Sequence, residues 1–558
     1  MPNLYLKIIH PPVWLYVCFS IVIMSTMWGA NYFYELRFKQ QDETQKASIS
    51  SIDVGLPKEG WEPIAFADLT RERTLDIIYK QINSSHFSLY RYSKERKLYH
   101  KAQSFLIPSI NIKSVVPVDF DKRGYNDLLI THSENLSPPY QLSLLRNEAG
   151  FFNAKIHHLN VTSNDIPYVF DFDQNGNFDI LYTDYQTKQP RLYFNSNFQF
   201  PKYYSIAAAQ FVSEKSIDLM AVTEKNHFRS IITIFSYNKE TKWEKNTQFF
   251  APPNIGDIAI GDFDGDGFLD VVFSVFPEKK PSYLCFMFNS AKGFTSDTKC
   301  SNKTTSIHFE VPNILPDRKI QVADLTLTGN ADIAVAVNDN GKNSMQLVLN
   351  QPCKTCQTRE IMLVDHSIIP GIGGFFDIFD DGTLDLVTED GGFISTLAED
   401  SFFLKVSALN GLCLDSCSKK PRYPNPPPVS TIYNGATIKI EFTDKNGIKR
   451  KAIGTQRSTN GLTLPYYVFG LGENVHYVQE LSVLTTKSDT WTWILPSSNV
   501  FTSSNHQIRV FLMYKIHGFY VLFGMTALLL ILGTVVLVYA RREDEEDKIE
   551  AEQMLPLF

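Results

Sequence analysis

A chain of 558 residues is too long for one ordinary domain and suggests about two to four. Hydrophobic residues at 44% with charged residues at 20% fit a globular protein, and 41 Phe with 26 Tyr favour strands over helices. The mild net charge of -7, with no long Lys/Arg run, argues against nucleic-acid binding.

In chain order, Lys7 and His10 precede an apolar run from Val13 to Trp28. This is the layout of a signal peptide, expected over residues 1–30. Trp28 is too bulky for a small-x-small cleavage site, so a retained signal anchor stays open as the alternative. Residues 31–54 read as a linker.

The stretch Gly261 to Asp270, GDFDGDGFLD, then sets four carboxylates within a short loop. Like charges so close repel and need a neutralising partner. The frame recurs at Asp171/Asp173/Asn175/Asp179 and at Asp119/Asp121/Asp127, where Arg123 takes the fifth place and offers an internal cation. Weaker copies begin at Asp68, Asp324 and Asp377, and a seventh at Gln210 keeps little but Asp218. The copies lie roughly 40 to 60 residues apart, a period typical of propellers and solenoids. A short apolar strand enters each loop and a β-branched strand leaves it, with further strand-like runs between copies. The fold class is therefore all-β, a seven-bladed β-propeller over residues 55–400.

In D-x-[DN]-x-[DN]-G-x-x-D the first, third, fifth and ninth side chains can converge on one point, and the glycine permits the turn. Hard oxygen donors in that number suit Ca²⁺ over Zn²⁺. The ligand sets ranked by donor count are Asp262/Asp264/Asp266/Asp270, then Asp171/Asp173/Asn175/Asp179, then Asp119/Asp121/Asp127. The loops lack the flanking helix and final Glu of an EF-hand. The structural alternative is that the carboxylates only cap turns. A phosphatase of the D-x-D-G type is a third reading, but that chemistry needs a following helix and occurs once per chain. No complete catalytic set is present, so the expectation is a protein that is not an enzyme.

Of seven cysteines, six fall into local pairs, Cys285–Cys300, Cys353–Cys356 and Cys413–Cys417, which suggest disulfides among 15 possible pairings. A zinc site from the last two pairs is the rival. Sequons stand at Asn83, Asn135, Asn160 and Asn302. Residues 401–510 read as a small β-sandwich: Thr437 to Phe442 alternates with period two, and Asp444 to Gly447 marks a hairpin turn. Pro421 to Pro428 is a stiff loop. The uncharged run 519–540 suits a transmembrane helix, and Arg541-Arg542 behind it puts the C-terminus in the cytosol. The acidic tail 541–558 reads as solvated and disordered, with Glu550, Met554 and Leu555 weakly resembling a dileucine sorting signal.

The acidic loops with strands on either side resemble the FG-GAP repeats of integrin α-subunit propellers. Phe375 to Asp385, the segment Gly411-Leu412-Cys413 with Cys417, Leu464 to Gly472 with its Phe-Gly-Leu-Gly, Trp491 to Pro496 and the single membrane helix are together similar to the T-cell immunomodulatory protein family. The Phe-Gly-Leu-Gly segment also resembles the closing β-domain of ASPIC/UnbV proteins, and the sandwich is expected on the last blade, pinned by Cys413–Cys417. The resemblance covers about residues 55–540. It implies a type I membrane glycoprotein with an integrin-like propeller, no catalytic site, and roles in T-cell modulation and cell adhesion. Family partners are RuvB-like AAA⁺ ATPases and tubulin; the short tail here departs from the family and leaves a cytosolic partner open. The expected function is calcium-stabilised binding of a protein or glycan ligand outside the cytosol, at the plasma membrane or in the endomembrane system. A secretory-pathway trafficking adaptor is the alternative.

Overall fold

The structure, a computed structural model, describes residues 48–554 apart from single residues and internal stretches, the longer being 107–110, 194–199, 352–361, 411–430 and 457–461. Its first part is seven consecutive antiparallel sheets in simple meander order. Their first strands are Trp61–Ala67, Asn111–Val118, Tyr168–Phe170, Ser205–Ala209, Ile255–Gly261, Gln321–Ala323 and Gly373–Phe376. Six of the sheets have four strands, and the third has three among the described residues. The second strands are buried along their whole length in Asp127–Ser133, Asp179–Thr183 and Asp270–Val275. Both faces of those strands lie against neighbouring sheets, so their sequences read as continuous apolar runs.

One hydrophobic cluster fills each junction. Ala65, Ile78, Val115 and Leu128 join the first sheet to the second, and Val116, Leu129, Val169 and Ile180 join the second to the third. The series continues round to Phe66, Ile77, Phe376 and Val387, which join the seventh sheet to the first. The ring is therefore closed, and among the described residues each sheet packs against two neighbours. Its closing strand comes from the front of the chain. Ile49–Ile52 pairs antiparallel with Gly391–Ser395 and completes the seventh sheet. Part of the segment read as a 31–54 linker is thus a strand, whose Ile49 and Ile52 turn apolar sides inward.

Beyond the ring, two further four-stranded sheets face each other. One contains Phe402–Leu409, Tyr467–Gly472, Ser498–Ser503 and Gln507–Leu512, with the first and third of these parallel. The other contains Thr437–Thr443, Lys449–Thr455, Val478–Leu484 and Ser488–Ile494. The inward side chains of both, among them Leu404, Val406, Ile438, Ile440, Phe469 and Leu481, share one core with Phe170, Leu181 and Ile206 of the ring.

The chain then enters helix α1, His517–Met554. Its portion Gly524–Glu550 is long and apolar enough to cross a membrane and is not buried against the rest of the protein. The helix runs on through Arg541 and the acidic residues to Met554, where the sequence suggested a disordered tail. Glu, Lys and Ala are strong helix formers, and Asp544 and Lys548 stand four residues apart on one face.

Candidate metal centre

Each acidic loop joins the first and second strands of its sheet, so all seven open on one face of the ring. The loop's ninth residue has the same task in every sheet where its bonds are described. Its Oδ2 accepts the backbone N–H near the loop start: Leu69 to Asp76 at 3.3 Å, Phe172 to Asp179 at 3.0 Å, Phe211 to Asp218 at 3.1 Å, Phe263 to Asp270 at 3.0 Å. Its Oδ1 accepts from the third strand: Asn289 N to Asp270 at 2.8 Å, Asn350 N to Asp332 at 2.7 Å, Ser395 N to Asp385 at 3.0 Å. This aspartate ties three strands together and is structural first. That is why the Gln210 copy, eroded elsewhere, retains Asp218.

In two sheets the ninth residue also belongs to an acidic triad. One carboxylate oxygen from each of Asp171, Asp173 and Asp179 lies within 4.8 Å of the other two, and so do those of Asp262, Asp264 and Asp270. The outer two members of each triad are buried. Burial, and then the Asp266 charge, hold the Asp262 carboxyl well above its ordinary range, and burial with the Asp262 charge does the same to Asp270. Burial with Asp173 and Asp171 beside it pushes Asp179 up to about 7. Three converging carboxylates, the outer two of them buried, are the donor chemistry of a hard divalent cation. The residues therefore fit a bound metal ion.

The fifth residues of these two loops bond within their own turns. Asp266 Oδ1 accepts from Phe268 N at 2.9 Å, and Asn175 Oδ1 from Asn177 N at 2.7 Å, so both cap the turn two residues on. Asp121 and Arg123 lie outside the described residues; Asp119 accepts from Gly124 N and Asp127 from Asn147 N, at 2.6 and 2.8 Å.

The degenerate loops are neutralised differently. Arg91 Nε donates to Asp76 Oδ1 at 3.2 Å in the first sheet, and Ser236 Oγ to Asp218 Oδ1 at 2.6 Å in the fourth. In the sixth, Thr326 occupies the third position and its Oγ1 donates to Asp332 at 2.9 Å. In the seventh, Lys405 Nζ reaches Asp377 Oδ2 at 3.0 Å and Asp380 Oδ1 at 2.8 Å, with the Tyr466 ring 4.1 Å away. The Lys405 side chain is only 5% exposed. It comes from the sandwich, a source the loop sequence does not reveal.

Among the described residues, Lys405 is one of five such ties between the sandwich and the loops. Tyr433 OH donates to Asp171 Oδ2 at 3.2 Å, and Gln210 N to Thr437 Oγ1 at 2.9 Å. The backbone of Ile453 bonds Asp262, and Gly470 N donates to Asp324 Oδ2 at 2.7 Å. The first residue of each loop from the third sheet to the seventh is thus held by the sandwich. The module lies across the acidic face of the ring, where the sequence placed it on the last blade alone. Phe-Gly-Leu-Gly has its reason here: a Cβ on Gly470 would lie 2.0 Å from the Leu327 carbonyl carbon, so only glycine lets this strand approach the sixth loop.

Sequence reasoning also missed a set of asparagines. Asn147, Asn289 and Asn350 stand at or just past the ends of the third strands of their sheets, and each Nδ2 donates to the loop of the sheet before it, at Leu69 O, Phe211 O and Phe263 O. The signal was present as three apolar-rich runs ending in Asn: Leu-Leu-Arg-Asn147, Phe-Met-Phe-Asn289 and Leu-Val-Leu-Asn350. Cys285 and Cys300 form a disulfide with Cα atoms 5.9 Å apart. The other two cysteine pairs and Asn83 lie outside the described residues, while Asn135, Asn160 and Asn302 are exposed.

A closed ring of repeated sheets with acidic loops on one face, a two-sheet module docked on that face and one long apolar helix consistent with a single-pass membrane anchor define the class: a repeat β-protein with a β-sandwich cap. The family model for the C2 domain of ITFG1 matches residues 428–509. The chain is 24% identical over 506 residues to the T-cell immunomodulatory protein of Mus musculus, covering 79% of this chain and 82% of that one. It is 25% identical over 507 residues to the Homo sapiens protein, with 79% and 81% covered. It is 27% identical over 382 residues to the T-cell immunomodulatory protein homolog of Plasmodium falciparum, spanning 54% of this chain and about half, 53%, of that one. Over most of its length the chain is similar to the T-cell immunomodulatory proteins.

Proposed function

We propose that this protein is a type I membrane glycoprotein whose ectodomain, a seven-bladed FG-GAP β-propeller braced by calcium and capped by its C2 domain, binds a protein or glycan ligand outside the cytosol. The meander sheets, the closed ring and the two triads support the propeller and the metal. All-oxygen donors favour calcium, whose part is to neutralise buried carboxylates and stiffen the loops. The Cys285–Cys300 disulfide suits an oxidising compartment, and Arg541-Arg542 beside the helix suits a cytosolic C-terminus. The acidic groups serve to hold loops and sandwich, which favours binding over catalysis. The relatives are named for modulation of T cells; the reading for this chain goes no further than extracytosolic binding.

One observation carries the proposal. The sandwich covers the acidic face, so the opposite face is left for a ligand. The hairpin tip Asn226–Arg229 stands on that opposite face, and its Phe228 is 84% exposed. Phe228→Thr creates a sequon at Asn226 and would set a glycan there. Proximity labelling in living cells is expected to lose its principal partners with this variant and to keep them with Asn302→Gln, at equal membrane levels. Retention of the same partners by Phe228→Thr would refute the free-face reading.

A further inference from the structure

On the face away from the sandwich, the centre of the ring holds a cavity of about 220 Å³. Ile64, Ile112, Ile166 and Met345 give it an apolar wall, and Leu462 reaches in from the sandwich side. Its charged lining is unbalanced: Lys80, Lys113, Arg318 and Lys319 against Glu62 and Asp317.

The pairings differ in quality. Lys80 Nζ is 2.7 Å from Glu62 Oε1, and Lys319 Nζ is 2.8 Å from Asp257 Oδ1, just behind the lining. Arg318 reaches the far oxygen of the same Glu62 at 3.7 Å. Lys113 meets Asp317 at 3.8 Å, and the Asp317 side chain is 62% exposed. Both distances exceed a hydrogen bond, so these two cations are weakly matched. Glu389 stands near Glu62 and Arg318, and burial with the Glu62 charge pushes its carboxyl up to about 7, which limits its negative charge at neutral pH. Ser114 Oγ is buried in the same lining with no hydrogen-bond partner. A buried hydroxyl of this kind signals a missing partner.

Apolar wall, two under-matched cations and an orphan hydroxyl describe one ligand chemistry. We propose that this cavity binds a carboxylate carried on an apolar stem, the stem against Ile64, Ile112 and Met345 and the carboxylate between Lys113 and Arg318. A guanidinium fork suits a carboxylate, and the Ser114 hydroxyl supplies a further donor. The proposal rests on the reading that this face is the binding face. An acidic chain end of a partner protein and a free amphiphilic acid present the same group.

The test is calorimetric titration of the full chain in nanodiscs with two probes, each paired with its neutral counterpart. One is an acetylated hexapeptide ending in leucine, as free acid and as amide. The other is 4-phenylbutyrate against 4-phenylbutyramide. At least one acid is expected to bind about tenfold or more tighter than its amide, the scale of a charged hydrogen bond. Lys113→Gln with Arg318→Gln is expected to erase that difference, and Arg318→Lys to retain part of it. Binding of the peptide acid alone assigns the site to a partner's chain end, and binding of phenylbutyrate alone to a small amphiphile; either supports the proposal. Equal binding of acid and amide, or no binding of either acid, overturns it. The acid-against-amide comparison uses the unaltered protein, so it decides the matter even where a variant fails to fold. If the Asn226 glycan removes partners while neither acid binds, the free-face reading stands and the carboxylate site falls.

Discussion

The ninth aspartate of each loop answers to backbone donors before it answers to any metal. Asp270 accepts from Phe263 N and from Asn289 N. This residue was legible as a repeat marker because the same strand geometry demands it in every sheet. The metal reading depended on the first and third positions, and there Asp262/Asp264 and Asp171/Asp173 converge as the spacing suggested. At the fifth position Asp266 and Asn175 cap their own turns through one side-chain oxygen. Lys405 was invisible to local reasoning. It stands 28 residues from Asp377 and belongs to another module. Its removal leaves two carboxylates facing each other, one of them buried, without their cation. Lys405→Met is therefore expected to lower stability by about 3 to 5 kcal/mol, read from chemical denaturation. A loss below about 1 kcal/mol would mean that the pair contributes little.

Local periodicity reaches as far as a strand and its neighbour. The apolar strands entering and leaving each loop announced their hairpins, because a turn and two flanking runs lie within a dozen or so residues. The partner of Ile49–Ile52 is some 340 residues away, and nothing local marks that segment as the closing strand. The tail 541–554 misled in the opposite direction: charge suggested disorder, while helix propensity and an apolar helix already in progress carry the backbone on. The strand Tyr467–Gly472 shows how a motif can be recognised before its reason is known. Phe-Gly-Leu-Gly was distinctive in the sequence, and the structure supplies the contact of Gly470 with Leu327. Gly470→Ala is expected to force that strand off the sixth loop and weaken the Gly470 N–Asp324 bond, at about 1 to 3 kcal/mol for an overpacked site. Hydrogen exchange should then quicken together at 324–329 and 467–472; unchanged exchange in both would contradict the contact.

At the scale of the molecule, one chain builds a ring and then uses its C-terminal module to cover one side of it. Most of the ties run between residues 146 to 262 positions apart, as in Gly470 to Asp324 and Tyr433 to Asp171, with Lys405 to Asp377 the exception at 28. Such pairings have no sequence period, which is why repeat counting found the sheets but not how the sandwich docks on them. The arrangement puts both acidic triads in loops whose first residue is held by the sandwich, so an ion there would stiffen the ring and its cap together. It also divides the protein into a structural face and a free face, the latter centred on the cavity between Lys113 and Arg318. A crystal structure of the protein grown in millimolar calcium, with anomalous scattering collected for the ion, tests this most directly. The account predicts anomalous peaks at Asp171/Asp173/Asp179 and Asp262/Asp264/Asp270 with the sandwich seated over that face; empty triads, or a sandwich docked on the opposite face, would contradict it.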